Sequence, residues 1–171
     1  KEILDNYKVD GIHFDYIRYQ DDIYGYNKRA RKIFEDIYSI DPMNIAKGII
    51  STRFGWSPEF VDSIETTWEK YKQNAITELL EMVRINVNNF NRDIQLSAAV
   101  KPNLIIAKRK FSQDWKFWLE TGLLDFVVPM NYYANVDDFK NDINIMKNKL
   151  SKESRDNIVM GIATYNQSSE Q

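Results

Sequence analysis

The residues best suited to chemistry fall in the block Val9 to Tyr19, VDGIHFDYIRY. Along an extended chain successive side chains alternate between two faces. Gly11, His13 and Asp15 then share one face, and Ile12 and Phe14 share the other. The Ile/Phe face is apolar and is expected to pack on helices. The opposite face would look into a polar hollow, with Asp15 uppermost. A carboxylate so placed can shuttle a proton or attack as a nucleophile. The structural alternative is an Asp that caps a turn or pairs with Arg18. His13 lies one layer below, about 6–7 Å along the strand. It can orient a substrate hydroxyl, tune Asp15, or simply fill space while hydrogen-bonded. Arg18 can clamp a substrate oxygen, or hold its own loop through Asp21 or Asp22. Asp10, at the strand's start, reads as structural.

Composition narrows the chemistry further. The 171 residues contain no cysteine, so disulfides, thiolate metal sites and a cysteine nucleophile are excluded. A single histidine rules out a His-rich zinc or iron centre, which disfavours a metal-dependent deacetylase. It also leaves room for only one Ser–His pair. Lys+Arg total 23 against Asp+Glu 25, a net charge of −2, and the pI is near 5.5. No broad basic footprint for nucleic acid is present. No apolar run approaches the roughly 18 residues of a membrane span. The expectation is a chain with no cofactor, no nucleic-acid partner and no membrane-spanning segment. What survives is carboxylate chemistry, lysine chemistry, or binding without chemistry.

These side chains must be held by a scaffold, and the apolar pattern describes one. Four short runs read as strands: Val9–Ile17, Ile94–Val100, Leu123–Met130 and Ile158–Thr164. Each is apolar on both parities, as parallel strands covered on both faces are. Helical spacing separates them. Lys1 to Tyr7 forms a short lead-in, and Ala30, Ile33, Phe34, Ile37 and Tyr38 form a first stripe. A longer one runs through Trp68, Tyr71, Ala75, Leu79, Met82, Asn86 and Phe90, with Thr66 and Glu69 as its capping box. Ser112 is expected to cap a helix carrying Trp115, Trp118 and Leu119, ended by Gly122. Asn135 opens the last stripe, Val136 to Leu150. Phe34, Phe90, Trp115, Phe117 and Phe139 sit on such stripes and are expected in the core.

Alternating strands and helices mean parallel βα units with right-handed crossovers. No Gly-rich phosphate loop follows any strand, which weakens an open nucleotide-binding sheet. Small strand residues (Gly11, Ser97, Ala99, Gly161, Ala163) suit a crowded barrel lumen. The fold class is therefore α/β, a partial (β/α)₈ barrel of four strands, with all of 1–171 as one piece of a single domain. The chain opens on Lys rather than Met and partway through a helical pattern, so an interior piece of a longer protein is expected. Two open strand edges would favour self-association.

Active sites of such barrels lie at the C-terminal strand ends, where polar and aromatic residues gather. Lys101 and Asn103 follow the second strand. Lys101 shares a face with Ser97 and Ala99 and could pair, bind hydroxyls, or form a Schiff base if desolvated. Asn131, Tyr132 and Tyr133 follow the third strand, and Thr164, Tyr165 and Asn166 the fourth. Tyr19, Tyr24 and Tyr26 surround Asp21 and Asp22 after the first. Amides and phenols together supply the donors, acceptors and flat apolar faces that a pyranose ring needs.

VDGIHFDYIRY, IQLSAAVKPN, LLDFVVPMNYY and NIVMGIATYN, in this order and spacing, resemble the family-ten-like glycosyl hydrolases, bacterial (β/α)₈ proteins with an Asp-Gly-Ile-His-Xaa-Asp block. On that resemblance the chain carries strands four to seven of eight. The implied activity is glycoside hydrolysis on bacterial cell-wall or other polysaccharide glycan, in an exported or cell-envelope setting. Asp15 matches the block's second Asp and would be the active-site carboxylate. Relatives often have an acid where Tyr16 stands, a Pro where Gln20 stands, and Pro-Gln where this chain has Pro129 and Met130. Glycosidases usually need two carboxyl groups. Glu69 reads as a helix cap and Asp114 as a first-turn residue, which leaves Glu170 as the leading partner, or an acid beyond this sequence. Two other readings stay open: a glycan-binding barrel without catalysis, and a lyase or aldolase that uses Lys101.

Overall fold

The computed structural model describes residues 2–90 and 92–165. Three strands, β1 (Gly11–Phe14), β2 (Gln95–Val100) and β3 (Phe126–Pro129), pair in parallel in that order. His13 lies beside Ser97, and Ser97 beside Phe126. The expected fourth strand is shorter than its apolar run. It continues the sheet in parallel through bridges at Val127–Ile158 and Met130–Gly161. Backbone hydrogen bonds from Val159 to Val127 (2.9 Å) and from Gly161 to Pro129 (3.0 Å) secure it. An α/β half barrel of four parallel strands is the result.

The register sorts the side chains by parity. Leu96, Ala98, Val100 and Val127 are fully buried on one face, with Ile12 and Phe14 beside them. The other face carries Gly11, His13, Ser97 and Ala99, the row expected to line the hollow. Trp115, Trp118, Leu80, Val87 and Met146 close the buried face from the helices. This is the main core.

The helices are α1 (Glu2–Asn6), α2 (Lys28–Tyr38), α3 (Met43–Ala46), α4 (Pro58–Asn88), α5 (Leu104–Phe111), α6 (Trp115–Glu120), α7 (Val136–Lys149) and α8 (Lys152–Asp156). Helix α4 starts earlier than the capping box suggests. Ser57 accepts the Phe60 N–H at 3.2 Å and Pro58 occupies the first turn, so Thr66 and Glu69 lie well inside it. At 1.5 Å per residue its 31 residues run about 46 Å, against roughly 20 Å for six-residue β2. The N-terminal half of α4 therefore overshoots the sheet at its strand-end rim.

The buried row of α4 is also rotated from the expected stripe. Ile64, Trp68, Ile76, Leu80 and Val87 face inward, while Leu79 and Met82 are exposed. Both rows are apolar, and tertiary packing selects one. Helix α5 is an element that the apolar spacing does not reveal, because Asn103, its cap, hides behind Pro102. Asn103 Oδ1 accepts from Ile105 and Ile106 N–H, both at 3.2 Å. Ser112 ends this helix in a left-handed conformation rather than starting the next one. Asn135 caps α7 as expected. Phe117, expected in the core, is 44% exposed.

Between β1 and α4 the chain makes a long excursion containing α2 and α3. It has its own small core of Phe34, Ile50, Ile64 and Trp68, ringed by Tyr26 and Tyr71. Trp68 stacks on Tyr71 with ring centres 5.2 Å apart. An Arg31–Asp41 fork, with Asp41 Oδ1 also accepting the Met43 N–H at 2.9 Å, joins α2 to α3. That fork and its hydrogen bonds hold the Asp41 carboxyl below its ordinary pKa.

The tightest constraint on the β1–β2 pairing is Gly11. A Cβ added there would lie 2.8 Å from the Gln95 carbonyl oxygen, and backbone cannot step aside as a side chain can. Gly11→Ala is expected to lower stability by about 1–3 kcal/mol. Urea denaturation followed by circular dichroism measures it; an unchanged midpoint would contradict this packing.

Candidate active site

Asp15 leaves the end of β1 exposed to solvent. One of its carboxylate oxygens accepts the Tyr16 N–H at 2.8 Å. Tyr16 follows with φ of 55°, a left-handed conformation costing a non-glycine residue of order 1–3 kcal/mol. The Arg18 N–H donates to the Tyr16 carbonyl at 2.7 Å, closing the turn. Asp15 lines a groove of about 330 Å³ whose other walls include Phe14, Ile76 and Leu79. Among the described residues it forms no ion pair.

Beside it lies a second cleft of about 370 Å³, lined by Tyr16, Arg18, Gln20, Lys101 and Phe111. Two cations meet here over one ring. The Arg18 guanidinium carbon lies 5.1 Å from the Phe111 centroid and 4.8 Å from that of Tyr16. Lys101 Nζ lies 4.9 Å from Phe111. Neither cation has a carboxylate partner among the described residues. Arg18 does not reach Asp21 or Asp22, the partners its spacing suggests; its Nη1 donates to the Tyr19 carbonyl at 3.2 Å instead. Asp21 pairs with Lys110 at 3.3 Å. Burial, and then the Arg18 charge, lower the Lys101 pKa. Aromatic faces offset part of the repulsion. A ligand oxygen carrying negative charge would offset more.

Gln113, which the sequence does not single out, holds this rim together. It is wholly buried. Its Oε1 accepts the Lys101 N–H at 2.8 Å, and its Nε2 donates to Ala99 (3.2 Å) and Ile17 (3.4 Å) carbonyls. Trp115 Nε1 donates to the Lys101 carbonyl at 2.9 Å. The Tyr19 N–H reaches the Phe111 carbonyl at 3.0 Å. The ends of β1 and β2 and the turn after α5 are thus one hydrogen-bonded unit. No motif marks such a residue; only its contacts do.

The remaining sequence-selected residues separate into two groups. His13 faces the open side of the sheet with Nδ1 2.8 Å from Ser97 Oγ. Tyr16, Arg18 and Lys101 join Asp15 at the rim. Tyr19 turns toward Lys72, whose Nζ lies 5.9 Å from its ring. Asn103 spends its side chain on the α5 cap and on Asp142, to which its Nδ2 donates at 3.1 Å. Asn131 is wholly buried and donates to the Phe139 carbonyl at 3.1 Å. Tyr132 and Tyr133 are partly exposed. Burial and the nearby Asp142 carboxylate raise the Tyr133 pKa. Tyr165 is exposed. Glu170 and Asn166 lie outside the described residues. Asp125 is structural, taking the Arg84 guanidinium at 2.9 Å and the Leu96 N–H. Asp114 is held by Lys108 at 2.6 Å, and Glu69 borders a different cavity. No group of three or more metal-ligating side chains is found among the described residues.

Ser97 Oγ is the side-chain partner that orients the His13 ring through Nδ1. The chain has one imidazole, so ¹⁵N NMR can read it directly. Ser97→Ala is expected to shift the His13 Nδ1 resonance and to leave Nε2 much less changed. Identical spectra would remove Ser97 as the positioning residue.

No curated protein matches the sequence closely. The family model of Glycosyl hydrolase-like 10 matches residues 1–170, nearly the whole chain. The match joins the parallel half barrel and its Asp-Gly-Ile-His-Phe-Asp strand, and the chain belongs to the Glycosyl hydrolase-like 10 family.

Proposed function

We propose that Asp15 supplies one carboxylate for hydrolysis of O-glycosidic bonds in a bacterial cell-wall or other polysaccharide. The observation that carries this reading is an exposed carboxylate at a barrel strand end, beside a cleft with two cations that lack carboxylate partners among the described residues. Arg18 and Lys101 would bind substrate oxygens, and the Tyr16 ring would offer a flat face to a sugar. His13 would donate to or accept from a ring hydroxyl one layer below. Tyr132, Tyr133 and Tyr165 would extend the rim on the far side. The second carboxyl that such hydrolysis requires would come from Glu170 or from a residue beyond this sequence.

A second reading keeps the cleft and drops the catalysis. It is favoured by the fact that neither Glu69 nor Asp114 joins Asp15. The two readings diverge in one experiment on release of reducing ends from peptidoglycan glycan strands and from common polysaccharides. Hydrolysis predicts that Asp15→Asn lowers turnover by at least about 100-fold while binding persists. A wild type that binds a glycan but never cleaves it favours the binding module. Full activity in Asp15→Asn removes Asp15 from catalysis.

The outer edge of β1 has no strand partner among the described residues. We propose that the 171-residue chain associates with itself through such edges. Light scattering is expected to give more than the monomer mass of 20.2 kDa; a stable monomer would contradict it.

A further inference from the structure

One cavity lies away from Asp15, between the β1–α4 excursion and the overshooting half of α4. It holds about 440 Å³, within the range of small-molecule sites. Lys72 lines it and is only 3% exposed. Its ammonium has three donors, yet one hydrogen bond is formed, to the Asp22 carbonyl at 3.0 Å. No carboxylate of the described residues lies within ion-pair distance. The Trp68 ring also lines the cavity, with its indole N–H buried and turned to the Tyr26 side chain. Asp22, Glu65 and Glu69 line the same cavity, and none of them forms an ion pair among the described residues.

Charge selects the kind of occupant. A cation would meet the Lys72 ammonium at the buried wall. An anion would meet three carboxylates. A neutral ring bearing many hydroxyls meets neither penalty: it accepts from Lys72, and it donates to the acids. Ile23, Ile45 and the half-buried Tyr26 supply apolar surface for its C–H face. We infer that this cavity is a second saccharide subsite, taking a neutral pyranose whose hydroxyls donate to Glu65 and Glu69 and accept from Lys72.

The subsite lies on the same strip of chain as Asp15. Asp22 and Glu69 also border an adjoining groove lined by Ile105, Ile106 and Lys110. Helix α5 carries that wall on to Phe111 in the Asp15 rim. A glycan several sugars long could therefore touch both places. This inference rests on the glycan reading of the rim, and the test separates the two.

Neutral oligosaccharides of two to eight sugars, from β-1,4-glucan, β-1,3-glucan and β-1,4-linked N-acetylglucosamine, are titrated by calorimetry into wild type, Glu65→Gln/Glu69→Gln and Arg18→Met. Matching thermal melts check folding, and Tyr26→Phe serves as a milder cavity variant. The expected result is a longer oligomer whose affinity falls at least tenfold in the double variant. Affinity lost only in Arg18→Met overturns the subsite and leaves the rim reading standing. Affinity lost only in the cavity variants upholds the subsite and removes the rim as a sugar site. No binding of any of these oligomers by the wild type overturns the subsite.

Discussion

A single buried amide governs how the rim is assembled. Gln113 has no exposed surface and spends both ends of its side chain on backbone groups of β1's continuation and β2. Parallel strands diverge once their ladder ends, and each frees N–H and C=O groups that must find partners. Here the partner is a side chain delivered by the turn between α5 and α6. Its position fixes Phe111, two residues earlier, and Phe111 in turn is the surface on which Arg18 and Lys101 both rest. The chemistry of the cleft thus depends on a residue that never enters it.

Electrostatic asymmetry follows from the same arrangement. Several other cations have carboxylate partners: Arg31 with Asp41, Arg84 with Asp125, Lys108 with Asp114, Lys110 with Asp21. Arg18 and Lys101 lie over one aromatic ring instead, and burial together with the Arg18 charge makes the lysine easier to deprotonate than usual. The cavity around Lys72 is the reverse, with one enclosed cation among three acids. One side of the loop 15–26 presents two cations beside Asp15, and the other presents three acids beside one cation. A long polar ligand laid along that loop would encounter different hydrogen-bonding partners at each end.

The alternation of strands and helices is legible because short runs apolar on both parities suit strands covered on two faces. The face carrying His13 is legible because period two leaves no choice once Ile12 and Phe14 are buried. The phase of α4 is not. Its Leu79–Met82 row and its Ile76–Leu80 row are equally apolar, and only the packed sheet distinguishes them. Helix α5 escapes notice because LIIAKRKF is too short to display a period and its cap is concealed by Pro102. At the site, Asp15, Arg18 and Lys101 are recognisable by type and by their position at strand ends. Asn103 and Asn131 have the same type and position but are consumed by a helix cap and a buried backbone contact. Sequence shows which groups can bind a sugar; it does not show which of them the fold has already used.

The excursion between β1 and α4 explains why so exposed a loop is well fixed. Its aromatic core is separate from the main one, yet α4 passes through both without a break. The loop is clamped near one end by the Tyr19–Phe111 backbone bond and near the other by Lys72 on the Asp22 carbonyl. Gly25 permits the second clamp: its φ is 103°, and a side chain there would press on Lys72 and the Tyr19 ring. Two attachments to different elements leave little room for sliding between them. The strain at Tyr16 can then persist, because the backbone that would relax it is held on either side. An acid at the end of β1 is thereby presented in a defined direction by a loop that, on composition alone, would be expected to move.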